Sequence, residues 1–214
     1  MEPSIIFEDN HIIVVIKQQN IPTQEDASGD PDLLNALKQY RKVKENKTGE
    51  AYVGMVHRLD RVTGGVMVFA KTSKAASRLS EQFKANDVTK KYLAIVGGVP
   101  KQQVAKLEHY LLKNENKNKV EVVGQAVTGA KRAELTYRII GQGTEISLVE
   151  VDLVTGRSHQ IRVQLAAIGH PIINDLKYGG DKYIDIETEW EQRSVTPALC
   201  RTNSVSITQH QGIE

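Results

Sequence analysis

No apolar run in the sequence is longer than the pentad Ile12 to Ile16. Apolar stretches are cut short by glycine, proline, asparagine or charged residues, so the chain reads as short strands joined by turns, with a few helices between them. A membrane helix needs roughly 20 consecutive apolar residues, and no such span is present. The N-terminus, Met1-Glu2-Pro3-Ser4, lacks the basic-then-apolar pattern of a secretory signal. Cys200 is the only cysteine, which excludes an internal disulfide and a cysteine-based metal cluster. The cytosol is the default compartment. With 214 residues, 40% of them hydrophobic, and a mean hydropathy of −0.37, the chain is expected to be a single globular domain.

Residues 4–7 and 12–16 read as a strand pair turned at Glu8-Asp9-Asn10-His11. A polar loop over 20–32 leads into a helix whose start is marked by Asp30, Pro31 and Asp32 and which runs to about Lys44. Residues 52–58 and 66–70 read as β segments joined through Asp60-Arg61-Val62-Thr63-Gly64-Gly65. Thr72 or Ser73 can cap a helix carrying Ala76, Leu79 and Phe83 on one face. Residues 88–96 form another strand candidate, and the lysine- and asparagine-rich 113–119 segment suits a solvated hairpin loop. Strict alternation makes 131–154 a long antiparallel pair turned at Gly141-Gln142-Gly143, followed by a short helix over 158–168. The expected fold class is α+β: a mixed, mostly antiparallel sheet with helices packed outside.

Residues 1–35 carry 1 basic and 7 acidic side chains, residues 36–140 carry 21 and 9, and residues 141–214 carry 6 and 10. A net charge of +2 therefore conceals a middle segment at +12. Such a segment fits a polyanion, and nucleic acid suits it better than a membrane because no basic amphipathic helix with aromatic anchors accompanies it. A solvated lysine-rich face explains the charge equally well. Only 5% of residues are aromatic, which argues against a single-strand binder built from stacking platforms.

Three polar clusters can carry chemistry. In His57-Arg58-Leu59-Asp60-Arg61, extended backbone would point Arg58 and Asp60 to one side while Leu59 anchors the core. A turn-capping aspartate flanked by surface arginines is the plainer alternative. Thr155-Gly156-Arg157-Ser158-His159-Gln160-Ile161-Arg162 lies between a strand end and a helix start, where backbone N–H groups favour anions. Here Arg157 can hold a phosphate or a carboxylate, or form a structural ion pair. The third cluster is Lys90-Lys91-Tyr92 at a strand entrance. His57, His159 and His170 have no recognised metal-ligand spacing.

Taken together, HRLDRVTGGVMVFAKT at 57–72, KKYLAIV at 90–96, LVTGRSHQIRVQLAAIGHPI at 153–172 and DLKYGG at 175–180 resemble the RluA-type pseudouridine synthases, which isomerise chosen uridines in ribosomal or transfer RNA. The resemblance extends over about residues 4–180. It implies that Asp60 is the catalytic aspartate, that Tyr92 packs against the target base, that Arg157 pairs with the aspartate, and that Arg58 helps flip the uridine or hold its place. His57, Lys90, Lys91 and Arg162 join Arg58 as expected RNA-binding residues. The chain departs from the family pattern in four places. Lys17 is followed by Gln18-Gln19-Asn20 where Lys-Pro-x-Gly is usual, Gly64 stands for serine, Asn174 stands for glycine, and the tail from about residue 198 lacks the usual Phe-x-His-Pro-like closing segment. A separate N-terminal RNA-binding domain is not expected.

The implied reaction is redox-neutral, and no metal or nucleotide cofactor is expected, in keeping with the absence of a phosphate loop and a dinucleotide fingerprint. Isomerisation gives the anomeric carbon positive character, which an ionised Asp60 can stabilise or trap covalently; alternatively it removes a sugar proton. The expected partner is RNA, with no membrane. The sequence leaves the oligomeric state open, with a monomer as the default. A noncatalytic RNA-binding module and an N-glycosidase that releases the base remain as other readings.

Overall fold

The computed structural model describes residues 1–179 and the backbone of residues 208–210. The chain divides into two compact units, Met1–Thr89 with Thr208–Glu214, and Lys90–Ile207. The expected atypical tail from residue 198 lies outside the described residues, apart from the backbone at 208–210.

In the first unit, β1 (Ser4–Glu8) and β2 (Ile12–Lys17) form the predicted hairpin. Asp9 closes it, its carboxylate accepting the N–H groups of His11 and Ile12 at 2.7 Å each. β2 pairs antiparallel with β4 (Gly64–Ala70), from Ile12 opposite Ala70 to Lys17 opposite Gly65. The short β3 (Gly54–Met55) and the strand β10 (Thr208–His210) lie on the other edge of β4, β10 running parallel to it. Ile13, Val15, Met67 and Phe69 are fully buried and form the sheet's contribution to the core.

Helix α1 (Leu33–Lys44) starts where the sequence placed it, with the Asp32 carboxylate accepting the Asn35 N–H at 2.9 Å. Helix α2 (Ser73–Ala85) is capped by Thr72, which accepts the Ala75 N–H at 3.1 Å, and ends on Asn86 at φ 59°. The expected strand over 52–58 shrinks to Gly54–Met55. Beyond it the Val68 N–H donates to the His57 imidazole Nε2 at 3.1 Å, so a side chain takes the position a neighbouring strand carbonyl would occupy.

The second unit is an antiparallel sheet in the order β5 (Lys91–Gly97), β9 (Ile146–Leu153), β8 (Lys131–Gln142), β6 (Val104–Asn114), β7 (Lys119–Val123). Its inner face presents Ala94, Val96, Leu135, Tyr137, Val149 and Val151 to Ile161 and Leu165 of helix α3 (Gln160–Ala167). The opposite face carries a ladder of ion pairs: Lys91 with Glu150 at 3.6 Å, Arg138 with Glu150 at 2.7 Å, Lys106 with Glu134 at 2.7 Å, and Arg132 with Glu108 at 2.8 Å. Alternation along each strand separates these faces. The fold class is α+β with mostly antiparallel strands, as the sequence predicts. Among the described residues, no helix is long and apolar enough to cross a membrane.

Candidate active site and nucleic-acid-binding residues

In the first unit the segment His57–Arg61 alternates as expected: Arg58 is exposed, Leu59 is buried and Asp60 is half-buried. Asp60 opens a tight turn, its carbonyl accepting the Thr63 N–H at 3.0 Å immediately before β4 begins. Two side chains, one at the end of β2 and one in the loop after it, hold the carbonyls on either side of it. The buried hydroxyl of Thr23 donates to the Leu59 oxygen at 2.8 Å. The ammonium of Lys17 donates to the Arg61 oxygen at 3.1 Å, and also to the oxygens of Gln18 and Ile21 at 3.0 and 2.7 Å.

Lys17 is only 1% exposed. Burial pushes its pKa down to about 8, against the attraction of the Asp60 carboxylate and with a smaller repulsion from Arg61. This depression follows from desolvation, which disfavours the charged form of a buried amine.

Arg61 is itself held by an acidic loop. Its guanidinium donates to the Ser28 hydroxyl at 2.9 Å and to the Asp30 carboxylate, with Asp26 at 3.8 Å. The Arg61 hydrogen bond, with help from Ser28, pulls Asp30 below its ordinary range. His57 is pinned on two sides, by the Val68 N–H and by a stacked Phe83 ring at 4.7 Å between centroids.

The departures from the family pattern acquire physical reasons here. Asn20 and Asn174 stand where glycine is usual, and both adopt left-handed backbone, at φ 64° and 62°. Asparagine is among the few side chains that enter this region readily. At Gly64 an added Cβ would meet the Gln19 side chain at 3.0 Å, so glycine at 64 accompanies glutamine at 19.

In the second unit Tyr92 lies opposite Val151 in the β5–β9 register, half-buried, and packs against the core beneath α3. Lys91 points to the other face of the sheet, within 3.6 Å of Glu150 and 3.9 Å of Asp152. Lys90 is half-buried, and that burial lowers its pKa.

The loop carrying Arg157 is bolted down by Gln160, which is 2% exposed. The Gln160 side-chain oxygen accepts from the Arg157 N–H at 2.9 Å and the Thr155 hydroxyl at 2.8 Å, while its amide nitrogen donates to the Glu134 carbonyl at 3.0 Å. Arg157 is exposed, with its Nε donating to the Arg132 carbonyl at 3.0 Å.

Arg162, expected among the RNA-binding residues, is turned inward. It is 8% exposed, and its fork donates twice to Asp175 at 2.7 Å and lies over the Tyr178 ring at 5.0 Å. The Tyr178 hydroxyl accepts the Val120 N–H at 2.9 Å and lies 2.7 Å from His159 Nδ1. His170 Nδ1 contacts the Gly97 carbonyl at 2.8 Å. Each of the three histidines considered as metal ligands thus has a protein partner of its own. Among the described residues, no three His, Cys, Asp or Glu side chains are grouped as ligands for a metal.

Sequence reasoning assigned no role to Thr23, Gln160, Asp175 or Tyr178. Asp175 and Tyr178 fall inside the DLKYGG block, which marks them without saying what they do.

The sequence family described as RNA pseudouridylate synthase matches residues 11–167. The chain is 37% identical over 180 residues to ribosomal large subunit pseudouridine synthase D of Zymomonas mobilis, covering 83% of this chain and 56% of that protein. It is 38% identical over 180 residues to the mitochondrial tRNA pseudouridine(32) synthase of Saccharomyces cerevisiae, covering 83% of this chain and 37% of the relative. The chain therefore spans about half or less of the length of these relatives. The solved structure of human RNA pseudouridylate synthase domain containing 4 shares the fold at a TM-score of 0.75 and 24% identity, covering 96% of this chain and 81% of that one.

Proposed function

The chain belongs to the RNA pseudouridylate synthase family, and we propose that it isomerises uridine to pseudouridine in ribosomal or transfer RNA, with Asp60 as the catalytic carboxylate. The observation that carries this reading is the mounting of Asp60. Within a family block, it is a half-buried carboxylate on a turn whose flanking carbonyls are held by Thr23 and Lys17. A carboxylate fixed in this way meets the geometric demand of acting at one carbon of a sugar.

In the reaction the bond from uracil N1 to the ribose C1′ breaks and a bond from C5 to C1′ forms. The hydrogen on C5 leaves as a proton, and N1 gains one. No electrons are exchanged. As the glycosidic bond breaks, C1′ becomes electron-poor, and the Asp60 carboxylate stabilises it or bonds to it; alternatively it takes a sugar proton to give a glycal. Arg157 supplies positive charge to the reaction, and Tyr92 supplies a flat apolar face that keeps the freed uracil from leaving.

A stacked uridine must leave its stack first, at a cost of a few kcal/mol. Arg58 is exposed and suited to fill the gap, since a guanidinium stacks and hydrogen-bonds at once. Lys90 contributes phosphate affinity, while Lys91 contributes less because Glu150 and Asp152 already compensate it. His57 acts on RNA indirectly, by holding the segment that carries Arg58, and Arg162 by bracing α3 against Asp175 and Tyr178. The proposed reaction runs in the cytosol, without metal or nucleotide cofactor.

The test uses unmodified ribosomal and transfer RNA transcripts carrying tritium at uridine C5. Release of tritium to water with pseudouridine in the digest supports the proposal. Binding with unchanged uridine points to a noncatalytic module, and abasic sites point to a glycosidase. Arg58→Ala is expected to slow release more from structured RNA than from an unstacked oligonucleotide; equal losses would remove the flipping role.

A further inference from the structure

The first unit contains a buried cation that the reaction scheme does not use. Lys17 ends β2, is 1% exposed, and places its ammonium among the carbonyl oxygens of Gln18, Ile21 and Arg61. An ammonium has three protons, and each has an acceptor here. The Arg61 oxygen belongs to the residue after Asp60, so the ammonium is attached to the turn that carries the carboxylate. It also attracts that carboxylate electrostatically.

A neutral amine would not serve in the same way. It has two protons, so one of the three part-buried carbonyls would lose its donor, at the cost of an unsatisfied polar group. The charge that attracts Asp60 would vanish as well. We propose that Lys17 is a positioning residue for Asp60, and that its protonation sets how fast the carboxylate can act. This rests on the reading of Asp60 as the catalytic group.

Three features make Lys17 a candidate for titration within the working range of an enzyme. It is buried, it is tied to neutral carbonyls, and Asp60 is offset by a nearby Arg61. Burial brings its pKa down to about 8. The charged groups acting on it are Asp60 and Arg61, both on the turn. The loop after β2 presents carbonyls and the Thr23 hydroxyl, and β4 presents Gly65 across the ladder.

The experiment measures the single-turnover rate of tritium release from the same C5-labelled transcripts, from below to above about pH 8, with RNA affinity and circular dichroism followed in parallel. The native protein is expected to lose rate by roughly ten-fold or more through an alkaline limb centred near 8, with affinity and folding unchanged. Lys17→Met is expected to be slow at neutral pH and to lack the limb. Lys17→Arg, which keeps a charge that does not titrate there, is expected to lack the limb while retaining more rate than Lys17→Met.

A flat native profile in folded protein would overturn the proposal. So would a limb that survives in Lys17→Met, since it would then belong to uracil or another group. If Lys17→Met fails to fold, the native profile and Lys17→Arg still decide. Absence of tritium release at every pH would instead refute the assignment of function.

Discussion

The hydroxyl of Thr23 reaches the carbonyl oxygen of Leu59 at 2.8 Å from a position that is 4% exposed. It therefore anchors the backbone one residue before Asp60, from a loop 36 residues earlier in the chain. Thr23→Val keeps the shape and removes the donor, leaving that carbonyl unsatisfied. The expected stability loss is about 1–3 kcal/mol, with a fall in turnover on RNA transcripts and little change in RNA affinity. Thr23→Ser should restore turnover. Equal loss in both variants would mean that methyl packing, and not the hydrogen bond, matters.

The pair of Arg162 and Asp175 is buried and bidentate. Removing one member leaves the other charged in a site that is poor in water, so Arg162→Met and Asp175→Leu should each cost about 3–5 kcal/mol in urea unfolding. The double variant is expected to recover a large part of that loss, because two apolar side chains pack without any stranded charge. If the single losses simply add in the double variant, the two residues are not coupled and the brace around Tyr178 is misread.

Glu8 ties β1 to α1 and to the end of β4. Its carboxylate accepts from Lys71 at 2.6 Å, Lys44 at 2.8 Å and the Tyr40 hydroxyl at 3.0 Å. Burial alone would raise its pKa, but these donors prevail and draw it down from 4.5 to about 2. The folded chain thus keeps Glu8 ionised where the unfolded chain takes up a proton. The stabilisation is complete above 4.5 and disappears as pH falls toward 2. Glu8→Gln should be less stable than the native protein at neutral pH, and the gap in urea midpoint should close over that acidic window. A gap that stays constant on acidification would contradict the assignment.

Much of this was legible in the sequence, wherever local chemistry decides. Asp9 and Asp32 act as turn and cap because their short carboxylates reach backbone N–H groups two or three residues on. Alternation at 131–154 gave a strand pair with a buried and a charged face. β6 and β7 were recognised only through the loop between them, because His109 interrupts the apolar inner face of β6 and Tyr110 its polar outer face, which hides the period of two. The strand expected over 52–58 failed because His57 takes over a ladder hydrogen bond, a substitution that no pattern of hydrophobicity records.

The site shows the same division. Asp60, Tyr92 and Arg157 stand out through family blocks, whereas the groups that hold the Asp60 turn do not. Thr23 and Lys17 lie 37 and 43 residues before Asp60 and are defined only once β2 and β4 are paired. The inward turn of Arg162 was not legible, because a guanidinium in a basic motif looks available until Asp175, 13 residues later, is folded beneath it.

The most direct measurement is product formation by Asp60→Asn on C5-tritiated ribosomal and transfer RNA transcripts, with RNA affinity determined on the same preparation. Asparagine keeps the size of the side chain and removes its charge. The account predicts binding within a few-fold of the native protein and no detectable pseudouridine or tritium release. Turnover by Asp60→Asn at a rate near native would contradict it.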